Sequence, residues 1–272
     1  MRISIYIGNK ELESDERFVS MAERLVEGGC DLDILSAGDV LSDETDMLIS
    51  AGGDGTFLSS AVLAAEKGIP VFGVNFGRLG FLSEHRPEDV ADAILSGEYT
   101  IEQRTMLRSE MHTGNPSIDR WPYALNEMSV RRGGPAMLSV DVMVDGVELP
   151  TYWADGLIIS TSSGSTAYSL SVGGPIVLPD SKVLIISPIA PHNLNMRPLV
   201  VPDSSEIHLR MSSRDGKYEF SADTRTCTVS DDVEIAISVA QFSLKRVRLN
   251  KSNFINALTE KLFWGEDVRN IR

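Results

Sequence analysis

The chain has 272 residues, 42% of them hydrophobic, and its 25 Lys and Arg face 39 Asp and Glu for a formal charge of −14. So large an acidic excess argues against binding to nucleic acid or anionic membranes, because counterion release at phosphates needs clustered cations, and any phosphate site has to be local. Cys30 and Cys227 stand far apart and belong to no Cys-x-x-Cys pair, which argues against a zinc site or a disulfide framework and fits a reducing compartment. Met1 runs directly into an apolar strand pattern without signal-peptide features, and no apolar run is long enough to span a bilayer, so a soluble, cytoplasmic protein is expected.

The length suits two ordinary domains. Residues 3–7 read as a strand, and Phe18, Met21, Ala22, Leu25 and Val26 then recur at helical spacing until Gly28-Gly29 stops the run. Strands at 32–35 and 47–50 follow. A helical pattern from Thr56 to Lys67 carries Leu58, Val62 and Leu63, and Gly68-Ile69-Pro70 ends it before a strand at 71–74. Such alternation predicts an α/β domain with a Rossmann-like parallel sheet, whose ligands bind at the carboxyl ends of the strands.

Beyond Gly97 the texture changes to short strands. Leu138, Val140, Val142 and Val144 alternate up to Asp145-Gly146, a hairpin signal, and further strands are expected at 156–160, 183–187, 206–211, 218–222, 233–239 and 243–248. An antiparallel all-β domain of sandwich type follows, then a helix at 253–263 carrying Phe254, Ala257, Leu258 and Leu262. The expected division is an α/β domain at 1–97, a β-rich domain at 98–248, and a C-terminal segment at 249–272 returning to the first domain.

Chemistry concentrates in a few places. Gly52-Gly53-Asp54-Gly55-Thr56 follows an apolar strand and opens a helix, so its glycines permit close backbone approach while the helix start offers unpaired N–H groups to an anion. Asp54 would repel phosphate unless it had another task, such as taking a proton from an attacking hydroxyl or holding Mg²⁺. The spacing is neither Gly-x-x-x-x-Gly-Lys-Ser/Thr nor Gly-x-Gly-x-x-Gly. After the next strand, 73–82 supplies Asn75 for a ribose or amide, and Phe81 and Leu82 either for a flat ring or for the core.

Asn126-Glu127 lies in a strand-like run at 123–130, where one side chain faces a ligand and the other a supporting partner, or both mark edge-strand polarity. From Asp155 a β-run enters the hydroxyl-rich Ser160-Thr161-Ser162-Ser163-Gly164-Ser165-Thr166, suited to hydrogen-bonding a polar ligand, with Ala167 and Tyr168 behind it. No Gly-x-Ser-x-Gly elbow marks a serine nucleophile. Arg197, in the loop 188–198, faces either phosphate or an acidic neighbour. His192 reads as structural, and Asp223 either reaches a ligand or caps a turn.

Together, Gly52-Gly53-Asp54-Gly55-Thr56, the segment Gly77-Arg78-Leu79-Gly80-Phe81-Leu82, Asn126-Glu127, Asp155-Gly156 with Thr161 through Tyr168, and Pro191-His192 through Arg197-Pro198 resemble the NAD kinase family in residue type and order. The resemblance implies ATP-dependent, or polyphosphate-dependent, phosphorylation of the 2′-hydroxyl of the adenosine ribose of NAD, giving NADP, with Mg²⁺ accompanying the donor. It implies Asp54 as proton acceptor. NAD contacts would come from Gly55, Asn75, Phe81, Asn126, Glu127, Asp155, Thr166, Ala167, Tyr168, Ser171 and Asp223, and phosphate contacts from Gly52, Gly53, Thr56, Arg78 and Arg197, with no residue assigned as a metal ligand. A homodimer or homotetramer is implied as well. Two departures stand out: Thr161-Ser162-Ser163-Gly164 lacks the family's frequent proline at its second position, and Ala222-Asp223-Thr224-Arg225 lacks the common Asp-Gly-Gln type sequence. Competing readings are a lipid kinase built on the same glycine turn, for which the hydroxyl-rich segment is a poor channel lining, and a non-catalytic NAD(P) sensor.

Overall fold

The computed structural model describes residues 1–77, 80–250 and 253–264. It divides into two compact units, one of residues 1–103 and 244–272 and the other of residues 104–243. Both crossings fall inside long strands, Tyr99–Glu110 and Ile235–Leu249.

The first unit is built on a parallel sheet in the order Asp31–Leu35, Arg2–Ile7, Met47–Ala51, Val71–Val74 and the end of Ile235–Leu249, which pairs through Arg246 and Val247. Met47–Ala51 and Val71–Val74 are buried at every residue, as an apolar strand covered on both faces must be. Helix Glu16–Glu27 starts where the Asp15 side chain accepts the Arg17 N–H, and it buries Phe18, Met21 and Leu25 on one stripe. Helix Asp54–Ala64 begins two residues earlier than the sequence pattern indicated, with Gly53 at its N-cap. Sequence reading missed helix Pro87–Ser96, although its signals are present: Pro87 at the first position, Val90, Ala91, Ala93 and Ile94 on the buried side, and Gly97 at φ +72° closing it. The winding direction reverses between Arg2–Ile7 and Met47–Ala51, the place where open α/β sheets bind ligands. At the carboxyl end of Met47–Ala51, Gly52 has φ +153°, and a Cβ there would fall 2.4 Å from Thr56 Oγ1. Only glycine lets the chain turn so close to the helix.

The second unit is a β-sandwich. One layer is a six-stranded antiparallel sheet in the order Leu199–Pro202, Val183–Ile189, Gly156–Thr161, Glu127–Arg132, Lys217–Ala222, Arg225–Ser230. The other contains Tyr152–Ala154, Leu138–Val144, Ile207–Ser212 and the start of Ile235–Leu249, also antiparallel. Alternate residues from both layers, among them Val130, Ile159, Ile186 and Phe220 against Val140, Leu209 and Ile237, form one core. Asp145 and Gly146, at φ +51° and +81°, make the two-residue turn that joins Val144 to Val147. The separate strands expected at 233–239 and 243–248 are one strand, Ile235–Leu249. No turn intervenes because Phe242 is held in an aromatic cluster, 4.8 Å from the Tyr123 ring and 6.1 Å from that of Trp121. The expected run at 123–130 is likewise broken, into Tyr123–Ala124 and Glu127–Arg132.

Candidate active site

In the first unit the glycine turn and the second glycine loop meet through Asp54. Its carboxylate accepts three successive backbone N–H groups, Oδ2 from Phe81 at 2.9 Å and Oδ1 from Leu82 at 3.0 Å and Ser83 at 2.9 Å. Gly80 makes this contact sterically feasible, since a Cβ there would lie 1.9 Å from Asp54 Oδ1. The opposite side is open: a Cβ on Gly53 or Gly55 would meet nothing within 4 Å. Asp54, Gly55 and Thr56 form the first turn of a helix whose earliest backbone bond comes from Phe57 to Gly53, so their N–H groups have no intrahelical acceptor. The turn thus joins an anchored carboxylate to amides that suit an anion.

Other residues singled out in this unit hold the loop. Asn75 accepts the Gly77 N–H at 2.7 Å and donates to the Ser83 carbonyl at 3.3 Å, which shapes the chain that reaches Asp54. The Phe81 ring is half-buried, 6.1 Å from Phe254 and 5.1 Å from the Lys261 ammonium. Arg78 lies outside the described residues.

In the second unit a matching device organises Asn126 and Glu127. Asp223, the first residue of a two-residue hairpin at φ +50°, accepts N–H groups from Leu125 at 2.7 Å, Asn126 at 2.8 Å and Glu127 at 3.3 Å. These bonds take the place of sheet pairing and interrupt the strand. The same segment is held from its carbonyl side, where Thr161 Oγ1 donates to Leu125 at 2.7 Å and Thr161 N to Asn126 at 2.9 Å. Asn126 is 8% exposed, and among the described residues its side-chain amide has no hydrogen-bond partner.

Among the described residues Glu127 Oε2 is buried without a hydrogen-bond partner. Burial first, and the nearby Asp223 carboxylate second, push Glu127 up to about 8. Burial also pushes Asp223 upward against its three hydrogen bonds. Because those bonds favour its charged form, Asp223 keeps the negative charge and Glu127 the proton.

The hydroxyl-rich segment divides into two. Ser160, Thr161, Ser162, Ser165 and Ser169 are buried and bonded internally, for example Ser162 to the Pro179 carbonyl at 3.0 Å and Ser169 to Ser187 at 3.0 Å. They pin the segment rather than face outward, because consecutive hydroxyls in tight turns find carbonyls nearby. Thr166, Ala167 and Tyr168 are half-buried and Ser171 is exposed, so the accessible surface comes from the second half. Asp155 is partly exposed and paired with Arg132, Nε to Oδ1 at 2.7 Å. Arg197 donates through Nη1 to the carbonyls of Leu194 at 2.6 Å and Met196 at 2.8 Å, closing its own loop.

Sequence reading missed Arg246, Glu84 and Lys261. Arg246 Nη2 is 2.6 Å from Glu84 Oε1 and also reaches the carbonyls of Phe81 and Leu82, while Lys261 donates to the Gly80 carbonyl. The available signal was Lys245-Arg246-Val247-Arg248, three cations in one strand of an acidic protein.

Residues 10–99 match the family description of the ATP-NAD kinase N-terminal domain, and residues 125–249 that of the ATP-NAD kinase C-terminal domain. An NAD kinase of Flavobacterium johnsoniae is 40% identical over 268 residues, covering 96% of this chain and 90% of the relative. One of Flavobacterium psychrophilum is 43% identical, over 85% of this chain and 80% of the relative. Among solved structures, an NAD kinase from Archaeoglobus fulgidus in complex with ATP superimposes with TM-score 0.77 at 28% identity, covering 97% of this chain and 99% of its own. Yeast NADH kinase complexed with NADH shares the fold at TM-score 0.82 and 24% identity, over 99% of this chain and 90% of its own. With both domains matched in order and relatives aligned over nearly the whole chain, the protein belongs to the NAD kinase family.

Proposed function

We propose that this protein is an NAD kinase that transfers the terminal phosphoryl group of ATP to the 2′-hydroxyl of the adenosine ribose of NAD, forming NADP. The observation that carries this reading is Asp54, a carboxylate anchored at the first turn of a helix at the ligand-binding end of a parallel sheet. A ribose hydroxyl is a poor nucleophile at neutral pH, and a positioned base contributes about 10²–10⁴-fold to its reaction. The loop uses two of the acceptor sites on Oδ1 and one on Oδ2, so Oδ2 keeps a lone pair for the hydroxyl proton. Amides of Gly53, Gly55 and Thr56 support binding of the donor phosphates. Gly52 supplies the turn, and Arg78 and Arg197 are assigned as auxiliary cations.

NAD recognition is assigned to Gly55, Phe81, Asn126, Glu127, Asp155, Thr166, Ala167, Tyr168 and Ser171. Asn75 and Asp223 support it by holding the neighbouring backbone. A protonated Glu127 can donate a hydrogen bond to a ribose or amide oxygen that a carboxylate would repel.

The family's use of ATP implies a divalent cation such as Mg²⁺. Among the described residues no group of three or more His, Cys, Asp or Glu is placed to hold a metal ion. A Mg²⁺ ion carried by the triphosphate would neutralise charge on the phosphate oxygens.

No described helix is long and apolar enough to cross a membrane; a cytoplasmic location is assigned on the free thiols of Cys30 and Cys227, which fit a reducing compartment. A homodimer or homotetramer is supported by the exposed Leu199 and Val200, 38% and 45% accessible on an edge strand, and light scattering tests it. Incubating the purified protein with NAD, ATP and Mg²⁺ and following NADP with a coupled dehydrogenase tests the activity. Tight NAD binding without NADP would overturn the catalytic reading in favour of a sensor, and absence of both would reopen a lipid kinase.

A further inference from the structure

Three successive peptide groups of the loop 80–83 lie between one carboxylate and two cations. The group joining Gly80 to Phe81 donates its N–H to Asp54 Oδ2 at 2.9 Å, and its C=O accepts from the Lys261 ammonium. The next, joining Phe81 to Leu82, donates to Asp54 Oδ1 at 3.0 Å and accepts from Arg246 Nη2 at 3.2 Å. The third, joining Leu82 to Ser83, donates to Oδ1 at 2.9 Å and accepts from the same Nη2 at 3.2 Å. Every peptide dipole therefore points its positive end at the carboxylate and its negative end at a positive charge. A carbonyl that accepts a hydrogen bond polarises its peptide and makes the attached N–H a stronger donor. Arg246 is 3% exposed, so water screens its charge little.

We propose that Arg246 and Lys261 are positioning residues for Asp54, acting through these three peptide groups to keep its carboxylate aimed. The inference rests on the reading of Asp54 as the base. Neither cation touches the carboxylate, so its uncommitted lone pair stays open to a hydroxyl. An ammonium or guanidinium bonded directly to Asp54 would occupy it. The charges that face this assembly are Lys261 from helix Phe254–Leu262, with Glu260 beside it, Arg246 and Arg248 from strand Ile235–Leu249, Glu102 from strand Tyr99–Glu110, 3.6 Å from Arg246 Nη1 and also paired with Arg248, and Glu84 and His85 from the chain that leaves the loop. Glu84 offsets part of the Arg246 charge through its 2.6 Å pair, and His85, lowered to about 4 chiefly by burial, is neutral across the working range.

The test compares wild type with Lys261→Met, Lys261→Arg and Arg246→Lys, recording kcat and KM for NAD at saturating ATP, together with thermal melting. Lys261 is partly exposed and on a terminal helix, so its variants test the proposal even where those of buried Arg246 fail to fold. In Lys261→Met kcat falls about tenfold while KM for NAD stays within about twofold of wild type. Lys261→Arg, which keeps the charge, restores the wild-type kcat. A folded Lys261→Met with a wild-type kcat would overturn the proposal while leaving the NAD kinase reading intact. A wild-type protein that makes no NADP would overturn both.

Discussion

Replacing Asp54 with Asn separates its two tasks, because the structure specifies what the loop loses. The Asn Oδ1 can still accept from Leu82 and Ser83, but its Nδ2 then faces the Phe81 N–H now 2.9 Å from Oδ2, a donor against a donor. One charge-assisted bond, worth about 1.5–3 kcal/mol, is lost outright and the other two weaken from charged to neutral acceptors. The first-turn position of the carboxylate adds about 0.3–1 kcal/mol of dipole interaction that the amide lacks. The expected destabilisation is about 2–4 kcal/mol, well short of unfolding a domain of ordinary stability. Urea unfolding of wild type and Asp54→Asn measures this cost, and the coupled NADP assay on the folded variant measures turnover, expected to fall about 10²–10⁴-fold. Wild-type stability would refute the hydrogen-bond account. Wild-type turnover in the same variant would remove Asp54 from the chemistry.

Gly80→Ala places a Cβ against the Asp54 carboxylate, so the loop must retreat; turnover is expected to fall with the loss of up to three N–H bonds, and preserved activity in the folded variant would count against the loop's role. Glu127 binds its proton more tightly in the folded state, near 8 against an ordinary 4.5, so its stabilising contribution is complete below pH 4.5 and is lost as pH rises through 8. Glu127→Gln should remove that decline, amounting to a few kcal/mol, from urea-unfolding curves recorded at pH 5 and pH 8.5; an unchanged difference would refute the assignment. Asp223→Asn keeps a residue type that tolerates φ +50° but removes the charge beside Glu127 and weakens three N–H bonds. A raised KM for NAD is expected, together with a Glu127 titration moved to lower pH, as followed by carboxyl-carbon NMR of labelled glutamate.

Sequence by itself determined the elements that rest on local periodicity and turn chemistry. The parallel strands announced themselves as short apolar runs because both their faces are covered, and Asp145-Gly146 announced its hairpin because few other dipeptides adopt two positive φ angles. The glycine turn was equally legible, since a carboxylate among glycines at a strand-to-helix junction has few uses. What the local pattern could not contain were contacts between residues distant along the chain. Asp54 meets Phe81 across 27 positions, Asp223 breaks the strand at Asn126 from 97 away, and Arg246 reaches Leu82 from 164 away. The hydroxyl-rich segment 160–166 read as one surface suited to a polar ligand, yet Ser160, Ser162 and Ser165 are buried in it for the same reason: a serine shows its chemistry in the sequence, but its direction is set by which carbonyls the fold brings beside it. Residue type thus identified the reacting group, whereas its anchoring and electrostatic surroundings were decided only when the tertiary structure closed the loops.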